Sequence, residues 1–415
     1  MGMLKKPYKD ITGLQDRFVE LYGEKTVAQI ERYNKVFCEY KNYFNLQEAY
    51  VASSSGRVEV CGNHTDHNGG NVISCAISLD ALAFFMPTDD GVIRIKSDGY
   101  DQMVIDTNAP VTEKIGTSSA LVRGVVVGLL DRGYKTGGFC AYVSSNVLGG
   151  AGISSSASFE LLICEILNFL YNDGKIDEEQ KAIIAQYSEN KFFGKPCGLL
   201  DQTAISFGGL KKLDFSNKTK ISVSNIDNDL SDYSLVLINT GGSHANLTSE
   251  YASIPQEMKL IANVFGKDRL IEITEEDFYS KLPQFIDKVS DRAICRAVHF
   301  YNENKRVEQV VESLSKNDFA SFLDAVNNSG LSSLWLLQNC YVSGSKDQLI
   351  PKALAISKKF LHNGANRVHG GGFAGTILNI VKNDCLADFI QNISKYYPLD
   401  AIIPLKVRSV GTIVL

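Results

Sequence analysis

Phe139-Cys-Ala-Tyr-Val-Ser144 leads, through Gly149-Gly-Ala-Gly-Ile-Ser-Ser-Ser-Ala-Ser158, into the apolar-faced run Phe159–Leu170. It reads as strand, glycine-serine loop and helix in direct succession. That order gathers free backbone N–H groups and a helix N-terminus into one concavity, which is an anion site. Glycine lets the backbone approach a phosphate with no Cβ in the way, and the hydroxyls of Ser154, Ser155 and Ser156 can add donors or reach Mg²⁺. The loop lacks the Gly-Lys-Ser/Thr of a Walker motif and the GxGxxG spacing of dinucleotide folds. A serine-capped helix after a flexible turn is the other reading of the same residues.

Working outward, residues 11–48 carry apolar side chains at three- and four-residue steps and predict two amphipathic helices. Short β-type runs follow at 49–52, 57–60, 72–77 and 81–85, then a hairpin from 92–97 with 103–106. Helical spacing returns at 117–132 and 177–193, and a strand is expected near 210–214. Polar residues 216–232 read as a connector. Beyond it come a buried strand at 234–239, three or four amphipathic helices up to about 362, and strands near 367–368, 376–381 and 402–415, with a helix near 385–396. Strands and helices mix irregularly instead of alternating, so the expected class is α+β. A chain of 415 residues exceeds the usual size of one core, which favours two domains.

Composition narrows the function. With 44% apolar and 21% charged residues the chain is an ordinary globular protein, and no window carries the unbroken apolar run of a membrane span. A net charge of −5 offers no basic field for a nucleic-acid backbone, so neither a membrane nor nucleic acid is an expected partner. Nine scattered cysteines without a CxxC pair fit a reduced compartment. No apolar export segment follows the N-terminal lysines, and a cytoplasmic location is expected.

Three more stretches carry chemistry. Gly56-Arg-Val-Glu-Val-Cys-Gly-Asn-His-Thr-Asp-His-Asn-Gly-Gly70 is a turn dense in hydrogen-bonding side chains that suits a polyhydroxylated ligand, although Asx-rich turns also stabilise themselves. Asp201, within Pro196-Cys-Gly-Leu-Leu-Asp-Gln202, has apolar neighbours and needs a compensating cation; held ionised, it could accept a hydroxyl proton. Arg367-Val-His-Gly-Gly-Gly-Phe-Ala-Gly375 is a strand and glycine turn whose backbone could approach a phosphate or another loop, or simply close a hairpin.

In this order the loops resemble the three motifs of the GHMP kinase superfamily, and specifically of galactokinases. Residues 56–69 resemble the signature GRVNxxGEHTDYNxG, 150–158 the GxGLSSSAS loop, 196–202 the PCGxMDQ segment and 370–375 the GGGFGG motif; Ser249-Glu-Tyr251 matches a further stretch. The resemblance implies an N-terminal ribosomal-protein-S5-like domain over 1–220 and a C-terminal GHMP kinase domain with a ferredoxin-like core over 221–415, with the active site in the cleft between them. It implies an ATP-dependent kinase acting on the anomeric C1 hydroxyl of galactose, with Asp201 as base and Arg57 as its electrostatic partner. Asn63, His64, Asp66, Gly198 and Tyr251 would line the sugar pocket. Gly150, Gly152, Ser154, Ser155 and Ser158 would hold ATP, and Ser156 and Glu189 would hold Mg²⁺.

Two departures from the pattern matter. The signature's Glu is Asn63 here and its Tyr is His67, which leaves an N-acetylgalactosamine or arabinose kinase as the neighbouring reading. The segment Gly116-Thr-Ser-Ser-Ala-Leu-Val-Arg123, which would help to hold adenine, has no Trp or Tyr. A non-catalytic galactose-sensing regulator is the alternative of a different class; Asp201, Arg57 and the three-serine loop speak for catalysis.

Overall fold

The computed structural model describes residues 6–23, 26–109, 115–147, 149, 152–195, 197–228, 230–242 and 247–415. Its first seven strands are β1 (Tyr50–Cys61), β2 (Asn71–Thr88), β3 (Val92–Ser97), β4 (Met103–Asp106), β5 (Gly138–Ser145), β6 (Leu210–Asp214) and β7 (Ser222–Asn225). A second, antiparallel sheet contains β8 (Tyr233–Asn239), β9 (Ala365–Val368), β10 (Thr376–Lys382) and β11 (Ile402–Leu405), in the order β11-β8-β10-β9. The last strand, β12 (Ile413–Val414), returns to the first sheet, whose order is β12-β1-β2-β5-β3-β4 with β6 on β2 and β7 on β6. Among the described residues only the β3–β5 pairing is parallel. The α+β class read from the sequence is the class observed.

Both sheets are covered on two faces, and period-two alternation directs the side chains to each. In β2, Leu82 and Phe84 pack under the N-terminal helices with Phe18, Tyr33 and Phe37, while Ala83 and Phe85 face Val125, Leu129 and Ile166 of the helices Ser118–Leu130 and Ser155–Tyr171. In the second sheet, Leu235 and Leu237 meet Val310 and Phe322 on one side; Val236 and Ile238 meet Ile350 and Phe389 on the other. One core cluster joins Val58, Ile73 and Ile77 of the first sheet to the helices Asp291–Ser315 and Phe319–Ser332, so the two layers share buried surface.

Two pairs of expected short strands are single long ones. The serines at 53–55 read as a turn, but they lie buried within β1. Ser54 Oγ meets Thr412 Oγ1 at 2.9 Å, and Ser53 Oγ accepts from Arg408 Nη1 at 2.7 Å. Partners supplied by the distant C-terminus let these hydroxyls sit inside a strand. Likewise 72–77 and 81–85 fuse into β2, and the expected connector contains β7. The division at 220/221 therefore falls inside the β6–β7 hairpin, and the chain crosses it again at β12. Between β8 and β9 the described residues form five α-helices rather than three or four: Thr248–Val264, Glu275–Phe285, Asp291–Ser315, Phe319–Ser332 and Leu349–Phe360. No described helix is long and apolar enough to cross a membrane.

Asp80 is fully buried in β2 and ties the N-terminal helices to the sheet. It accepts from Arg32 Nη1 at 2.6 Å, from Tyr22 at 2.8 Å and from Ser53, with Arg408 at 3.7 Å. Burial pushes its pKa up, but the Arg32 and Arg408 guanidinium groups outweigh this and hold it below the ordinary carboxylate value. Its stabilisation is thus present above the unfolded carboxylate pKa and is lost as pH falls through the folded one. Asp80→Ala leaves the fully buried Arg408 without its carboxylate, and urea denaturation is expected to show a loss of about 3–5 kcal/mol.

Candidate active site

β1 carries the site residues at irregularities. Its pairing with β2 shifts register between Ser55 and Arg57 and again between Glu59 and Cys61, and such bulges re-aim side chains. A Cβ on Gly56 would lie 2.8 Å from the Ile153 carbonyl, and the Arg57 N–H donates to that carbonyl at 3.3 Å. Glycine here lets the phosphate loop dock on the strand. Arg57 then reaches Asp201 at the start of the helix Leu200–Phe207, with Nε at 2.8 Å and Nη2 at 2.7 Å from Oδ1, and also donates to the Gly152 carbonyl.

Ser154 has φ +63° at the N-cap of the helix Ser155–Tyr171, yet its hydroxyl does not cap the helix. It donates instead to Asp201 Oδ2 at 2.5 Å. The Ser154 hydroxyl is directed to the carboxylate, which leaves the first-turn N–H groups uncapped for an anion. Burial raises the pKa of Asp201, but Arg57, the Ser154 hydrogen bond and Lys195 outweigh it and hold the carboxyl below its ordinary value. Ser158, expected at the nucleotide, is buried and donates to the Ser54 carbonyl at 2.8 Å, packing the helix on β1. Gly152, at φ +74°, and Ser155, at the helix start, remain at the loop, while Gly150 lies outside the described residues.

Ser156 and Glu189 are brought together as expected, with Ser156 Oγ donating to Glu189 Oε1 at 2.8 Å. Glu189 opens a π-helical turn, Glu189–Phe193, that ends the helix Glu178–Ser188, a distortion common at functional sites. A hydroxyl and a carboxylate are hard oxygen donors, and they fit a Mg²⁺ that takes its other ligands from phosphate and water. No group of three or more His, Cys, Asp or Glu among the described residues could hold a metal. Lys195, which the sequence reading missed, also contacts Glu189 Oε1 at 2.8 Å.

On the sugar side, the turn after β1 is closed by Thr65, whose hydroxyl lies 2.9 Å from the Gly62 carbonyl and 2.8 Å from that of Asn71. Asp66 and Gly198 meet: a Cβ on Gly198 would sit 2.5 Å from Asp66 Oδ2. The glycine turn at 370–372 receives three side chains. Asn63 Nδ2 donates to the Gly370 carbonyl at 2.9 Å, His64 Nε2 to Gly371 at 3.0 Å and the Tyr251 hydroxyl to Gly372 at 2.9 Å. That turn therefore approaches another loop rather than closing an idle hairpin. Burial and His67 lower the His64 pKa to about 4, so its ring is neutral and carries its proton on Nε2. Burial pushes the Tyr251 hydroxyl up to about 12, and its ring meets Phe373 edge-on at 5.3 Å.

Asn63 is buried; its amide also donates to Glu59 Oε1 at 2.8 Å, and its oxygen accepts from Asn339 at 2.8 Å and Ser333 at 3.3 Å. Both N–H groups and both lone pairs have partners within the protein, so Asn63 holds the turn in place. Arg367, fully buried, meets the same Glu59 oxygen at 3.0 Å. Asn63→Ala strands these partners, and a stability loss of about 1–3 kcal/mol is expected in urea titration.

Residues 39–87 match the family model of the galactokinase galactose-binding signature, and residues 120–209 that of the GHMP kinases N-terminal domain. A galactokinase of Clostridium beijerinckii is 31% identical over 378 residues, covering 89% of this chain and 94% of that protein. One from Clostridium tetani is 29% identical over 395 residues, covering 94% and 92%. Among solved structures, Lactococcus lactis galactokinase in complex with galactose matches with TM-score 0.77 at 22% identity, over 98% of this chain and 100% of that one. A mevalonate kinase matches with TM-score 0.62 at 14% identity, over 86% and 98%, and shares the fold. Motifs, site geometry and full-length similarity together show that the chain belongs to the galactokinase family of the GHMP kinases, which use ATP.

Proposed function

We propose that the protein transfers the γ-phosphate of ATP to the C1 hydroxyl of galactose, giving galactose 1-phosphate and ADP. The observation that carries this reading is an ionised carboxylate, Asp201, clamped by Arg57 and Ser154 beside the Ser156–Glu189 pair. Asp66, Gly198, His64 and Tyr251 would seat the sugar with C1 toward Asp201. The Asp201 carboxylate accepts a hydrogen bond from the C1 hydroxyl and aims that oxygen at the γ-phosphorus. An oxygen–phosphorus bond to C1 forms as the β–γ bridge breaks, the hydroxyl proton passes to Asp201, and ADP leaves with the bridging oxygen.

Asp201, held below the ordinary carboxylate pKa, is a weak base. That suits a loose transition state, in which the attacking oxygen keeps its proton until late. Arg57 and the first-turn N–H groups face the charge that spreads over the transferring group. Mg²⁺ bound by Ser156 and Glu189 would neutralise nucleotide phosphate charge. The test is a panel of monosaccharides with ATP and Mg²⁺, read as ADP release. Galactose is expected to lead; a different leading sugar overturns the substrate assignment, and no turnover with any sugar overturns the kinase reading.

A further inference from the structure

Lys195 follows the π-helical turn and Gly194, whose φ is +80°. Its Nζ lies 2.8 Å from Glu189 Oε1, the oxygen that also accepts from Ser156 at 2.8 Å. The other oxygen, Oε2, accepts from Gln202 Nε2 at 2.8 Å and from Cys197 Sγ at 3.4 Å. Glu189 is thus ringed by donors, and Lys195 is the cationic one. With its side chain 59% exposed, Lys195 approaches from the open side and is free to swing, whereas Glu189 at 2% is fixed.

The charges around this point balance in pairs, Arg57 with Asp201 and Lys195 with Glu189. Lys195 also helps to hold Asp201 ionised, and Asp201 in turn helps to raise the Lys195 pKa although burial opposes it. Its ammonium therefore sits on the carboxylate suited to a metal, sharing Glu189 Oε1 with Ser156 in the first turn of the helix that follows the glycine-serine loop. In a phosphotransferase, that is where the moving phosphoryl group passes. A compact ammonium on a flexible stem can change partners there in a way a planar guanidinium locked on a carboxylate cannot.

Resting on the kinase reading, we infer that Lys195 is a second cationic phosphate-binding group of this site: it neutralises Glu189 in the free protein and turns to the terminal phosphate of the nucleotide when it binds. Lys195 and a metal ion would then compete for Glu189 Oε1. The inference is tested on the full chain with Lys195→Met and Lys195→Arg, first by calorimetric titration of ATP in excess EDTA. Lys195→Met is expected to weaken metal-free ATP binding on the order of 10-fold, and Lys195→Arg, which keeps the charge, to retain most of it. With galactose and Mg²⁺, Lys195→Met is expected to lower kcat on the order of 10²-fold and to shift half-saturating Mg²⁺ downward. Unchanged metal-free affinity in Lys195→Met, an equal loss in both variants, or no metal-free binding by the wild type overturns the inference. A wild type that binds ATP but releases no ADP with any sugar overturns the kinase reading instead, and the EDTA titration still decides Lys195.

Discussion

Asp201→Asn is expected to lower kcat for galactose-dependent ADP release by on the order of 10²–10⁴-fold, with galactose still bound. The amide keeps the size of the carboxylate but cannot receive the C1 proton. It also presents an N–H toward Arg57 or Ser154, both of which donate to Asp201 in the native site. Equilibrium binding of galactose separates this from a collapsed pocket, since the sugar contacts assigned to Asp66, His64 and Tyr251 lie on other segments of the chain. A non-catalytic sugar sensor would behave differently, with no transfer by the wild type and unchanged sugar binding in the variant. A wild-type rate retained in Asp201→Asn would remove Asp201 from the mechanism.

The second large effect is expected at Arg57. Arg57→Met is expected to lower kcat by on the order of 10²–10³-fold, because a preorganised positive charge facing the transferring group is lost. A change in pH dependence accompanies it. In the wild type, Arg57 is the largest influence holding the Asp201 pKa down against burial, so the acid limb of kcat should show no inflection from Asp201 above the ordinary carboxylate range. Without Arg57, burial dominates, the Asp201 pKa rises, and the acid limb moves toward neutral pH. The corresponding stability term has the matching sign: with Arg57 present it exists above the unfolded carboxylate pKa and is lost as pH falls through the folded one. Because both side chains serve one step, the double variant should be little worse than the poorer single one. Full additivity, or an acid limb that does not move, would separate their roles.

Much of this was legible in the sequence because it depends on local backbone chemistry. The strand, glycine-serine loop and helix around residues 139–171 were readable from periodicity, and Ser156 was expected beside Glu189. The need of Asp201 for a cation followed from its apolar neighbours, and Arg57 fills it. The contacts that the sequence left open are those in which a hydroxyl or amide could choose among partners. Ser154 and Ser158 sit within the loop motif, yet one serves Asp201 and the other the Ser54 carbonyl. The departure of Asn63 from the signature drew attention to sugar choice, but four protein partners occupy it. Lys195 lies beside the PCGxMDQ-like segment without belonging to it, so only its proximity to Glu189 reveals it.

By itself, then, the sequence determined the α+β class and the succession of strand, glycine-serine loop and helix, because glycine freedom and apolar periodicity act over a few residues, while the pairing of Arg57 with Asp201 was an expectation carried by the resemblance. Tertiary structure alone decided where each polar group points. The serines at 53–55 became strand because Thr412 and Arg408 arrive from the far end of the chain, and Asn63 became a clamp because the 370–372 turn and Asn339 close on it. A side-chain donor or acceptor takes whichever buried partner removes its desolvation penalty, and that partner is set by packing between segments hundreds of residues apart.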